Sequence, residues 1–357
     1  MATARQLIEQ STRHQVFLER VKTGEANQFA SFLKEIDRNL RLRLSGEDLT
    51  SYSRNRLERL IAGINGDLEA IYTRYWDDLS GNLIDIAEYE AEFESRSLNT
   101  VLDNFETTIP APEQVRAAIF SAPLSVRGKY GGKLLEPFIK SWSGDQIDLV
   151  SGAVRQGFFE GQTTSQILQV VRGTRANKFR DGLLNVSNRG AGAIVRTAVQ
   201  HAASVAREQT WRQNSRVVKG VRWVATLDEN TTAVCRSLDE QGAVFPIGKG
   251  PRPPIHIRCR STVVAVLDGR FNFLKKGATR SSKDGYVSAE LGYYQWLKQQ
   301  PERFQVEAIG KTRAKLLRNG GLTAERFAEL NLGKNFQPLT LKDMKRLEPL
   351  AFEKAGL

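Results

Sequence analysis

The chain has 357 residues, enough for two or three domains, and its 40% hydrophobic and 26% charged residues fit a globular protein and exclude large-scale disorder. The opening MATARQLIEQSTRHQ lacks the apolar core of a secretory signal, no window approaches the ~18 apolar residues of a membrane span, and two cysteines exclude a disulfide framework, so a reducing cytosolic setting is expected. The net charge of +12 is uneven: residues 1–110 hold 13 Lys+Arg against 19 Asp+Glu, residues 111–357 hold 39 against 21, and a basic body of that size attracts polyanions.

In chain order, residues 14–44 place Phe29, Phe32, Leu33, Ile36 and Leu40 at three- and four-residue steps, one apolar helical face. After a break that Ser45 or Asp48 caps, Leu49 to Leu79 repeats the pattern through Leu57, Leu60, Ile61, Ile64, Leu68, Ile71 and Tyr75. Ile84 to Phe105 reads as a third, more acidic helix, so the front of the chain is a long helical hairpin or bundle. TTIPAPEQ, residues 107–114, interrupts the helical period where the charge changes sign and is taken as a boundary. Helices continue to residue 214: Thr163 and Thr164 precede Ile167 as an N-cap, and Ile194, Ala198, His201, Val205 and Glu208 share a face.

The β-branched runs 217–227 and 261–266 read as strands of a small two- or three-stranded element, with a loop-rich insert between them. Past the basic polar stretch LKKGATRSSKDG the tail returns to helices. The fold class expected is α+β, predominantly α-helical, divided into 1–108 (N-terminal helical arm), 109–270 (helices plus the small β element near 217–266) and 271–357 (basic linker and helical tail).

The residues with most chemical potential are Cys235, His256 and Cys259. His-x-x-Cys is a usable metal-ligand spacing, and pairing of the two strands brings Cys235 to it; a structural zinc needs a fourth ligand, for which Asp228 and Asp239 are the candidates. Two reduced buried thiols, a single disulfide, or a histidine satisfying a loop carbonyl account for the same residues. A Cys–His nucleophile is the catalytic alternative, with no oxyanion device readable beside it. GKT at 310–312 fails as a phosphate loop because Gln305 stands where its first glycine belongs. Candidate cations for DNA or a partner are Lys249, Arg252, Arg258 and Arg260 in PIGKGPRPPIHIRCRST, and Lys311, Arg313, Lys315 and Arg318 in the tail. Tyr293, Tyr294 and Trp296 serve either as stacking platforms or as core.

Trp223, Asp228, Cys235, Leu238, Asp239, Pro253, Pro254, His256, Cys259 and Arg260, with Arg196 and Thr197 on the upstream helix, resemble the pattern of the phage head-morphogenesis family, the minor head proteins similar to the F protein of phage Mu. The likeness spans roughly residues 140–330 and departs at Leu238 and Ser261, where relatives often carry further cysteines, so a four-cysteine zinc site is excluded. The resemblance implies a non-enzymatic virion component of the portal vertex or capsid interior, acting in head assembly and DNA packaging or delivery. Its implied partners are the portal, major capsid or scaffolding proteins and double-stranded DNA, without cofactor. A zinc- or thiol-dependent nuclease or hydrolase using Cys235, His256 and Cys259 is the alternative.

Overall fold

The computed structural model describes residues 5–46, 54–102, 105–268, 279–333 and 336–357. Two long helices, α1 (Arg5–Ser45) and α2 (Arg54–Asn99), are followed by α3 (Pro112–Ser121), α4 (Leu135–Phe159), α5 (Thr164–Arg172) and α6 (Leu183–Gln213). A mixed segment follows, with β1 (Val218–Val224), α7 (Ala233–Gln241), β2 (Val244–Phe245) and β3 (Thr262–Leu267). A second hairpin, β4 (Thr279–Ser282) and β5 (Gly285–Ser288), leads into short helices α8 (Tyr293–Lys298), α9 (Glu302–Ile309), α10 (Lys311–Asn319), α11 (Ala324–Asn331), α12 (Leu341–Leu347) and α13 (Pro349–Lys354). The fold is α+β and predominantly helical. No described helix is long and apolar enough to cross a membrane.

The second and third helices expected from the sequence are one. Leu79, Leu83, Ala87 and Ala91 carry the buried stripe of α2 straight through Gly81, and continuous packing outweighs the roughly 1 kcal/mol that a glycine costs a helix. Ser45 is the last residue of α1 rather than a cap, and Asp48 lies outside the described residues. Thr163 caps α5 as expected: its side chain accepts from the Gln166 amide, and Gln166 returns a bond to the Thr163 amide.

The central element is α6. Its run AVQHAASVA is built from small residues, with Ala198, Ala202, Ala203 and Ala206 fully buried, and this lets α1, α2 and α3 approach its backbone closely. The inner faces of α1 and α2 therefore share one apolar core with α4 and α6, a core that crosses the boundary read at residue 108. A second core lies over the sheet, around Trp211, Trp223, Cys235, Leu238 and Cys259, and a third joins the tail helices around Trp296 and Phe327.

The sheet has the order β2-β1-β3, all antiparallel, with Trp223 opposite Val263 and Val224 opposite Thr262. This register puts the residues after β1 beside the residues before β3. Two segments differ from expectation. The insert holds α7, flanked by Thr232 and a left-handed Gly242, so that Cys235, Leu238 and Asp239 point inward on one helical face. Part of the supposed basic linker is the β4–β5 hairpin, turned at Lys283-Asp284 with Gly285 following, while residues 269–278 lie outside the described residues.

Candidate functional site

Cys235 comes from the first turn of α7, and His256 and Cys259 from the loop entering β3. Their ligand atoms all lie within 4.8 Å of one another, with Cys235 Sγ 3.2 Å from His256 Nε2 and 4.0 Å from Cys259 Sγ. The loop that delivers them contains a cis peptide between Pro253 and Pro254 and a left-handed Arg258. Arg258 is held by its own amide, which donates to Thr197 Oγ1 at 3.0 Å; Thr197 in turn donates to the Ala193 carbonyl inside α6. Thr197 is thus a pin between α6 and the His-x-x-Cys loop. Its neighbour Arg196 reaches α1 instead, donating to Thr23 Oγ1 at 2.9 Å and lying 3.7 Å from Glu19. Trp223 fills the sheet core at 1% exposure.

His256 Nδ1 donates to the Ile257 carbonyl at 2.9 Å, which fixes the ring and leaves Nε2 facing the sulfurs. Burial pushes the Cys235 thiol up. Burial acts the same way on Cys259, but hydrogen bonding from Cys235 and the facing imidazole hold it well below the ordinary thiol value. Burial also opposes charge on His256, and the Cys259 sulfur outweighs it and raises the imidazole.

Three corners of a zinc tetrahedron with Zn–S near 2.3 Å and Zn–N near 2.0 Å lie about 3.5–3.8 Å apart, close to the spacings found here. The fourth corner assigned from the sequence is absent. Asp228 is turned away into a bidentate pair with Arg260, at 2.5 and 2.9 Å, and also accepts from Thr231 and the Asn230 amide. Asp239 sits on the same helical face as Cys235 but accepts from the Ala225 amide at 2.8 Å and from both terminal nitrogens of Arg280 at 2.8 and 2.9 Å. Both carboxylates thus neutralise arginines, and the residues present do not complete a four-ligand protein site.

The candidate cations are also largely committed. Arg260 pairs with Asp228; Arg252 donates to the Pro123 carbonyl and approaches Glu208; Arg258 donates to the Arg189 carbonyl. In the tail, Arg313 donates to Asn331 and Leu339, Lys315 to Gly356, and Arg318 pairs with Glu302. Lys249 and Lys311 are exposed. Three of the four candidate cations of α10, Arg313, Lys315 and Arg318, are therefore taken by internal partners, because the short tail helices pack through those same side chains. Tyr293, Tyr294 and Trp296 are core, each at most 1% exposed, with Tyr293 donating to the Asp228 carbonyl.

Residues outside the sequence reading surround the cluster. Lys22 of α1 is fully buried, bonded to Glu19 and Gln200 at 2.5 Å each, and burial lowers its pKa while the Cys259 sulfur and Glu19 oppose that. Glu90 of α2, also fully buried, accepts from His14 Nε2 at 2.5 Å and Arg207 Nε at 2.7 Å, and Arg207 continues to Thr262 Oγ1 on β3. Burial opposes charge on Glu90, yet Arg207 and His14 hold its carboxyl below the ordinary value. A readable signal existed for Lys22: it follows Leu18 and precedes Ala26 and Phe29 on the buried stripe, a cation on an apolar face. Arg207 had none, since its partner is more than one hundred residues away.

No curated protein and no solved structure matches the chain significantly. The sequence from the middle of α4 to β3, which contains every residue of the Cys–His–Cys cluster and its Thr197 pin, does match a family. Residues 148–264, about a third of the chain, are similar to the family described as Phage Mu protein F like protein.

Proposed function

We propose that this chain is a structural component of a phage head, acting by binding during head assembly at the portal vertex or inner capsid surface. The observation that carries the reading, beside the family match, is that Cys235 and Cys259 are each 1% exposed and face inward between α7 and the His256 loop. A thiol nucleophile needs an accessible thiolate, and a catalytic zinc an open position. In this reading the cluster is a clasp of packed and hydrogen-bonded groups that closes the sheet, and it needs no metal.

The partners we infer are portal, capsid or scaffolding proteins and packaged duplex DNA. A docking face for a basic partner is offered by Asp77, Asp78 and Asp85, exposed along α2. Replacing these three by lysine is expected to lower incorporation into particles without lowering the melting temperature; unchanged incorporation rejects that face.

The double change Cys235→Ser with Cys259→Ser separates the structural reading from the zinc- or thiol-dependent nuclease. A clasp predicts loss of thermal stability and of particle incorporation together. The enzyme predicts a folded chain whose DNA- or ester-cleaving activity disappears, and a wild-type activity of that kind would overturn the proposal. Elemental analysis of purified protein tests the metal-free part directly.

A further inference from the structure

Between residues 161 and 207 the chain carries seven cations, Arg172, Arg175, Lys178, Arg180, Arg189, Arg196 and Arg207, and one acidic residue, Asp181. Three of the seven are neutralised by other elements: Arg172 by Asp37, Arg196 by Glu19 and Arg207 by Glu90. The other four are exposed, and no acidic partner contacts them among the described residues.

The loop that presents three of them, residues 173–182 between α5 and α6, is built around its single acid. Asp181 accepts from the Thr174 amide at 2.8 Å, Thr174 Oγ1 at 2.7 Å and Asn177 Nδ2 at 2.8 Å, so its carboxylate is committed inside the loop. Backbone bonds from Lys178 to Arg175, Phe179 to Thr174 and Arg180 to Asn177 wind it tightly, with Lys178 and Phe179 both in the left-handed region. Its two ends touch: a Cβ on Gly182 would lie 2.1 Å from the Arg172 carbonyl carbon, which only glycine avoids. Arg172 lies over the Phe179 ring at 5.4 Å and ties the loop to α1 through Asp37. Along α6 the series continues to Arg189, whose carbonyl is met by the exposed Arg258.

We propose that the α5–α6 loop, through Arg175, Lys178 and Arg180 with Arg189 beside it, is a preformed contact for the phosphate backbone of duplex DNA. Cations without a direct acidic partner on a pinned loop suit phosphates, which bind in proportion to the cations placed against them and carry no sequence information. A duplex fits better than a single strand because Arg172 covers the aromatic ring of the loop, Phe179, leaving little on the loop for base stacking. An acidic protein surface is a different partner and an outcome of the test.

This inference rests on the reading that the chain meets packaged DNA, and the experiment separates the two. Binding of the full chain to a labelled ~30-base-pair duplex of arbitrary sequence, and to one of its strands, is followed by anisotropy between 50 and 200 mM salt, where each phosphate contact contributes ~0.9 to the slope of log affinity against log salt. Replacing Arg175, Lys178 and Arg180 by alanine is expected to reduce that slope by about 2.7, so that the fourfold salt increase weakens the wild type roughly 40-fold more than the variant. The exchange Arg175→Lys, Lys178→Arg, Arg180→Lys is expected to restore the slope, which excludes a folding defect. Replacing the tail residues Lys311, Lys315 and Arg318 by alanine is expected to leave it unchanged. If the wild type binds and the loop variant keeps the wild-type slope, the loop assignment is overturned while the DNA reading stands. Preference for the single strand overturns it as well. A wild type that ignores duplex DNA, or binds only acidic protein, overturns both.

Discussion

The Asp239–Arg280 pair offers the most direct test of how the region after β1 is held. The two side chains are 1% and 4% exposed, and the pair joins α7 to β4, the end of β1 and the turn before α8, because Arg280 also donates to the Ala225 and Leu291 carbonyls. Asp239→Ala leaves a buried guanidinium without its anion and the Ala225 amide without its acceptor. Breaking one partner of a buried pair costs about 3–5 kcal/mol. With an unfolding entropy of about 2.1 cal/mol/K per residue over 357 residues, the melting temperature should fall by about 4–7 °C, measured by calorimetry or circular dichroism. Arg280→Met should cost a similar amount. The double change Asp239→Leu with Arg280→Met should recover most of the loss, since an apolar pair removes both desolvated charges together. A shift below 1 °C for Asp239→Ala, or a double variant that loses the sum of the singles, refutes the pairing. A changed metal content with unchanged stability would return Asp239 to the role of ligand.

Other expectations follow from the buried groups. Both thiols should be silent to a thiol reagent in the native chain and react as two equivalents in denaturant, whereas a rapid native reaction would contradict their 1% exposure. His201 donates to the Ile119 carbonyl, and burial, then the nearby Arg252 charge, lower its pKa from 6.5 to about 4. Folding therefore favours the neutral ring: its contribution is complete above pH 6.5 and is lost as pH falls toward 4. That loss amounts to about 3 kcal/mol, read as the pH dependence of urea midpoints, and His201→Gln should flatten it. Lys22→Met should be neutral or slightly stabilising, because a well-packed apolar side chain replaces a desolvated ammonium, while Glu19→Ala should destabilise by stranding that charge; equilibrium denaturation of the two variants checks the order.

Much of the architecture was legible because local patterns carry it. The apolar steps of α1, α2 and α6, the Thr163 cap and the β-branched runs of β1 and β3 are each set within a few residues of sequence, where helical and strand periods act. The break read between Leu79 and Ile84 is overridden for the opposite reason: the helix-weakening tendency of Gly81 is local, whereas the packing of Leu79, Leu83 and Ala87 is not. The α7 helix escaped notice because its nine residues make only about two and a half turns, too few for the apolar period to stand out, and the β4–β5 hairpin because its strands are short and polar.

The sequence by itself determined which residues could meet. The His256-x-x-Cys259 spacing, the strands on either side of the insert and the family pattern all place Cys235 with His256 and Cys259, since antiparallel pairing leaves little freedom in where α7 and the loop lie. It did not determine what each charge would do. Asp228 and Asp239 were candidate ligands by proximity in the chain, and only the tertiary structure gives them Arg260 and Arg280. The same holds for the basic body: the count of cations is a property of the sequence, but neutralisation is pairwise and three-dimensional. Arg313 and Arg318 are taken up within the tail, while Arg175, Lys178 and Arg180 stand clear because the one acid in their loop, the exposed Asp181, bonds to Thr174 and Asn177 instead.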